Sequence, residues 1–160
     1  MSSATLRPSS ISTSSDSSTV LPTLVGHVIV PPTVAEELSA GRSAGVSLPD
    51  PIRLAWVTVR RPTRALAVPL ITDLGHGESE VLMLALESRD AVVVMDDALG
   101  RRVAVMLGLR LTGTLGVLLD AKRAGLIPAV GPVLDQLQAL RFRLASHTRT
   151  AVLALAGELP

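Results

Sequence analysis

Residues 77–120 read GESEVLMLALESRDAVVVMDDALGRRVAVMLGLRLTGTLGVLLD, and this stretch decides the fold. Val81, Leu82, Leu84, Ala85 and Leu86 make the segment from about Glu78 to Ser88, which Gly77 precedes, a helix that is apolar over most of its surface. Residues 91–95 are continuously apolar and rich in β-branched side chains. They read as a strand covered on both faces, with Asp96 and Asp97 emerging at its C-terminal end. Residues 98–107 give a second helix, stopped by Gly108 at C′, and Leu109 to Thr112 give another short strand. Gly113 and Thr114, with Thr114 as N-cap, open a helix that runs past Lys122 and ends at Gly125, before Pro128. Strands alternating with helices predict a mostly parallel sheet with right-handed crossovers. In open sheets of this kind ligands bind beyond the C-terminal strand ends.

The pattern continues outward. Pro132, at N1, starts a further helix with Val133, Leu134, Leu137 and Leu140 on one face, and Ser146 caps a last helix closed by Gly157. Upstream, Val28-Ile29-Val30 is a short β-branched run ended by Pro31-Pro32, and Thr33 can cap a helix carrying Val34, Glu36, Glu37 and Leu38. A loop over 41–53 leads to an alternating edge strand at Trp56–Val59, and a polar connection follows with Arg60, Arg61 and Arg64. Residues 1–10 read by composition as a flexible tail and 11–160 as a single domain.

A chain of 160 residues, 48% hydrophobic, supports one sizeable core. One Phe, one Trp and no Tyr leave almost nothing for aromatic base-stacking, which argues against single-strand binders built on stacking platforms. A net charge of +1 gives no large field to gather nucleic acid, so any RNA contact must be local. The absence of Cys excludes disulfides and thiolate sites and is compatible with a reducing cytosol. The N-terminal region has Arg7 but no apolar run long enough for a signal or a membrane span, so a cytoplasmic protein with no membrane association is expected. A mean hydropathy of +0.46 is high for a monomer and predicts an interface, with a homodimer or a tightly held partner.

The residues with chemistry to offer are acids. Glu37, Glu80 and Asp96 fall near a helix, a helix start and a strand end, and if they converge they supply hard oxygen ligands for Mg²⁺ or Mn²⁺. Each also has a structural explanation, because acids in a first helical turn favour the helix dipole, and Glu36, Glu78 and Glu87 read as solvated helix charges. Asp96 is the hardest to explain by packing, since it follows a wholly apolar strand and Asp97 doubles the charge. Thr112-Gly113-Thr114 is a tight turn more readily than an anion site, and no phosphate-loop pattern is present. Arg101 and Arg102 can touch a phosphate backbone or pair with Asp96 and Asp97. His27, His76 and His147 have no zinc spacing, the N-terminal serines have no nucleophile elbow, and no Gly-x-Gly-x-x-Gly follows a strand.

From about Val28 to Glu158 the chain closely resembles the DUF3368 group of PIN-like proteins. The likeness rests on VIVPPTVAEEL, GESE, VVVMDD followed by Arg101 and Arg102, and above all on TGTLGVLLDAKRAGLIP. It implies a PIN-like three-layer α/β/α sandwich around a mostly parallel sheet. It also implies an acidic pocket holding Mg²⁺ or Mn²⁺ and cleavage of single-stranded RNA, as in toxins paired with an antitoxin protein. Carried over by motif, Glu37, Glu80 and Asp96 are the second, third and fourth acids, all metal ligands, with Asp97 supporting them. The first acid is Asp16, in Ser15-Asp16-Ser17-Ser18. The strand before it, Ile11 to Ser14, is poor in apolar residues, and the short stretch to His27 leaves the first helix abbreviated or lost. Either Asp16 still reaches the pocket, or the domain is an eroded remnant that binds protein or RNA without catalysis.

Overall fold

The computed structural model describes residues 19–63, 74–88 and 90–159. The tail over 1–10, the strand expected at 11–14 and Asp16 lie outside the described residues. A short helix α1, Val20–Val25, precedes strand β1, Val28–Val30, so the first helix is abbreviated rather than lost. Gly26 joins them at φ 72°, a left-handed turn that only glycine adopts without a Cβ penalty. Helix α2, Pro32–Ser43, follows, and a single 3₁₀ turn at Pro51–Arg53 leads into strand β2, Val57–Val59. Helix α3, His76–Leu86, strand β3, Val92–Val94, helix α4, Ala98–Met106, and strand β4, Arg110–Thr112, make the second half of the sheet system. Helices α5, Thr114–Arg123, α6, Gly131–Ala139, and α7, Ser146–Leu155, complete the chain.

The class is mixed α/β, as the alternation of elements predicts, and the pairing is parallel. β1 pairs with β2 in the register Val28↔Val57 to Val30↔Val59, and β3 with β4 from Val92↔Arg110 to Val94↔Thr112. Parallel strands need a helical crossover, which α2 and α4 supply. Among the described residues the strands form two separate pairs rather than one sheet. Both pairs line one cavity of about 1280 Å³, with Val28, Ile29 and Val30 contributed by β1 and Val92, Val93 and Val94 by β3.

That arrangement corrects the expectation for residues 91–95. Val93 and Met95 are buried, but Val92 and Val94 are 45% and 53% exposed, so β3 is covered on one face and looks into the cavity with the other. The buried face joins Val93 and Met95 to Leu82 and Ala85 of α3 and Val103 and Ala104 of α4. A second cluster, Leu119, Val130, Leu134 and Val152, holds α5, α6 and α7 together. With a single Phe and a single Trp in the chain, both clusters are aliphatic.

Helix starts depart from the sequence reading in an instructive way. Thr33, Thr114 and Ser146 sit just inside their helices, and Pro31, Gly113 and Ala145 occupy the N-cap positions. α3 begins at His76, so Gly77 lies within it, and Gly131 rather than Pro132 opens α6. At α6 the capping is done from a distance: Glu158 accepts hydrogen bonds from the backbone N–H groups of Val130 and Gly131. Glu87 is no solvated helix charge. Its carboxylate accepts from the Thr63 backbone N–H and hydroxyl, faces Arg60 at 3.7 Å, and is only 10% exposed, tying the segment after β2 to the end of α3.

Candidate functional site

α2 and α3 pack against each other, and each carries, about one turn in from its start, one of the acids the sequence singles out, Glu37 on α2 and Glu80 on α3. Gly77 carries no side chain, and a Cβ there would lie 3.3 Å from both Glu37 Oε1 and Val34 Cγ2. The Glu37 carboxylate therefore rests against the backbone of the turn that also carries Glu80. No hydrogen bond or ion pair to Glu37 is found among the described residues, whereas Glu80 Oε2 accepts a 2.7 Å hydrogen bond from the Thr33 hydroxyl. Thr33 Oγ1 also lies 3.2 Å from His76 Nδ1. The hydroxyl that the sequence offers as a cap for its own helix instead bridges to the neighbouring one, and the N-cap position is held by Pro31, whose ring has no hydrogen-bonding group.

The strand-end acids are held differently. Asp96 follows β3 and reaches the N-terminus of α5, where Oδ1 accepts from the Thr114 backbone N–H at 2.9 Å and Oδ2 from the Thr114 hydroxyl. It is a cap supplied across 18 residues, in a place where a helix N-terminus favours negative charge. Gly113 makes the approach possible: a Cβ on it would sit 2.6 Å from Asp96 Oδ1 and 3.1 Å from Arg101 Nη1. Arg101 is spent locally, donating to the Met95 carbonyl at 2.9 Å, and it makes no ion pair with Asp96 or Asp97. Asp97 is the N-cap of α4 and accepts from the Gly100 backbone N–H at 2.7 Å. The Thr114 N–H and hydroxyl of the Thr112-Gly113-Thr114 turn are thus taken by a carboxylate from within the chain and are not free for an outside anion.

Glu37, Asp96 and Asp97 line the cavity shared by the two strand pairs, together with Asp120. Glu80 is not among the residues lining it and is tied to α2 through the Thr33 hydroxyl. Among the described residues no three His, Asp or Glu side chains gather closely enough to hold a metal ion by themselves. The donors that are present are hard carboxylate oxygens, which suit Mg²⁺ or Mn²⁺ rather than a soft ion. Two features fit such a cation. The glycine at position 77 leaves room for the Glu37 carboxylate, and among the described residues Oε1 of Glu80 has no hydrogen-bond partner. Asp96 has both oxygens engaged but keeps lone pairs, since a carboxylate offers about four acceptor sites.

Two side chains that the sequence reads otherwise, Thr33 as a helix cap and His76 as a histidine without a metal spacing, stand beside these acids. Thr33 stands four residues before Glu37 and His76 four before Glu80, so each lies on the same helical face as one of the acids. That spacing is the signal that would have found them.

A model of the DUF3368 family, described as a PIN domain, matches residues 13–158. No curated protein and no solved structure matches the chain.

Proposed function

The chain belongs to the DUF3368 family of PIN domains, and from that premise we propose that it is a metal-dependent endoribonuclease cleaving single-stranded RNA, the toxin component of a toxin–antitoxin pair. The observation that carries the reading is that α2 and α3 each hold an acid against the other helix, the Glu37 carboxylate against Gly77 of α3 and the Glu80 carboxylate on the Thr33 hydroxyl of α2. Residues that would hold Mg²⁺ or Mn²⁺ are Glu37, Glu80 and Asp96, with Asp16 contributed from outside the described residues. When bound, the ion supplies a water of lowered pKa and a positive charge beside the phosphate. The chain's own part is to hold the acids in place. Thr33 fixes one oxygen of Glu80, Thr114 fixes Asp96, and Asp97, bonded to Gly100, keeps the turn after β3 in shape. RNA would be held through its phosphates and sugars, because the chain has almost no aromatic side chains to stack on bases.

A partner is part of this proposal. Val105 and Met106 on α4 are 65% and 72% exposed and flank Arg101 and Arg102 in a shallow groove with Leu111, an apolar patch with a basic edge. An antitoxin or a second copy of the chain would cover it. No described helix is long and apolar enough to cross a membrane.

One set of observations favours a second reading, a remnant that binds protein or RNA without catalysis. Asp96 and Asp97 are already used as helix caps, and no three acids gather among the described residues. Calorimetric titration with Mn²⁺ separates the two. The nuclease reading expects binding that Glu37→Gln and Glu80→Gln each weaken, and the remnant reading expects no carboxylate-dependent heat.

A further inference from the structure

The Thr33 hydroxyl stands between two groups that compete for one proton. Its oxygen is 2.7 Å from Glu80 Oε2 and 3.2 Å from His76 Nδ1. A hydroxyl has a single hydrogen to donate, and a carboxylate only accepts. The Thr33 proton therefore goes to Glu80, and the contact with His76 is a hydrogen bond only if Nδ1 carries the proton and donates to Oγ1. We propose that His76 and Thr33 form a directed relay, Nδ1–H to Oγ1 and O–H to Glu80 Oε2, that positions the Glu80 carboxylate and leaves His76 Nε2 as the ring's outward nitrogen.

A purely structural role explains this geometry poorly. A Thr in a first helical turn ordinarily bonds its own backbone, and here it forgoes that for a partner 47 residues away. His76 and its bond to Thr33 are exposed, so the contact adds little to stability. What it does supply is direction: with the ring's proton fixed on Nδ1, the Thr33 oxygen is engaged as an acceptor and its hydrogen can point only at Glu80. Both residues are positioning residues in this account, acting on the acid and not on the substrate.

The relay rests on the proposed function for its purpose but not for its test. Two-bond ¹H–¹⁵N spectra of the full chain in EDTA, recorded well above the ordinary imidazole range, report which ring nitrogen of His76 is protonated. The expected pattern is Nδ1–H in the parent and in Thr33→Ser. A shift toward Nε2–H is expected in Thr33→Val, which removes the acceptor, and in Glu80→Ala, which frees the Thr33 proton to turn toward the ring. An Nε2–H parent, or a ring that ignores both changes, overturns the relay. Titration with Mn²⁺ then reads the positioning: Thr33→Val should bind about 10-fold more weakly and Thr33→Ser close to the parent, in line with the cost of losing a partner to a metal-binding side chain. Equal affinity in Thr33→Val overturns the positioning role. A parent that takes up no Mn²⁺ overturns the metal-dependent nuclease reading, and the tautomer result alone then decides the relay.

Discussion

Replacing Asp96 by Ala removes both acceptors at the start of α5, the 2.9 Å bond from the Thr114 N–H and the bond from its hydroxyl. A hydrogen bond contributes about 1 kcal/mol net, and a charge at a helix N-terminus about 0.3–1 kcal/mol. Asp96 and Thr114 are only partly shielded from water, so the lower end applies, and the expected loss is about 1.5–2 kcal/mol. For a chain of this size each kcal/mol moves the melting temperature by about 2–4 °C, so Asp96→Ala should melt about 3–8 °C lower in EDTA. Asp96→Asn keeps Oδ1 for the backbone N–H, and its amide can donate to the Thr114 hydroxyl turned round. It loses chiefly the charge and should cost about 0.5 kcal/mol. Because the bonds are shared, Asp96→Ala should cost less in a Thr114→Val background than in the parent. Calorimetric melting of the parent, the three single variants and the double variant reads all of this. An Asp96→Ala variant that melts with the parent, or one that loses the same amount in both backgrounds, would refute the cap.

The carboxyl of Glu158 is held below the usual value of 4.5, first by the backbone N–H of Val130, then by that of Gly131, with Lys122 adding to them against a partial opposing effect of burial. A lowered folded pKa gives stability that is present above the unfolded value and lost as pH falls through the folded one, so the melting-temperature gap between the parent and Glu158→Gln should close as pH drops below about 4.5; a gap that is constant from pH 7 to 3 contradicts it. Gly77→Ala puts a methyl 3.3 Å from Glu37 Oε1 and Val34 Cγ2 and should weaken Mn²⁺ binding severalfold while circular dichroism stays that of the parent; undiminished binding would show that the Glu37 position does not matter. Leu82 is completely buried between α3 and β3, so Leu82→Ala should cost about 2–5 kcal/mol, and urea unfolding with a midpoint unchanged from the parent would show that this cluster is not the core. Light scattering should find a homodimer or, with a partner present, a complex, and Met106→Glu should reduce either; a monomer at high micromolar concentration with no partner bound counts against the α4 patch.

Much of the fold is legible in the residue pattern because breakers and periodicity agree locally. Gly108, Gly125 and Gly157 all take positive φ just past α4, α5 and α7, where the sequence marks the helix ends. What the pattern hides is long-range. A run such as Ala-Val-Val-Val-Met carries no sign of which face is covered, and β3 turns Val92 and Val94 toward a cavity rather than a second layer. The helix starts show the same limit: Thr33 and Thr114 fit the local cap rule, yet partners 47 and 18 residues away take their hydroxyls. The acids were findable, but their states were not. Asp96 and Asp97 are engaged by helix termini, and Glu37 owes its place to a glycine on another helix.

The most direct test of the central claim is cleavage of a single-stranded RNA by the purified protein with Mn²⁺ or Mg²⁺, with EDTA, and with Glu80→Gln in place of the parent. The account predicts cleavage by the parent with either metal ion, none in EDTA, and a loss of at least about 100-fold in Glu80→Gln at unchanged fold. Cleavage that persists in EDTA, or that Glu80→Gln leaves intact, would contradict it.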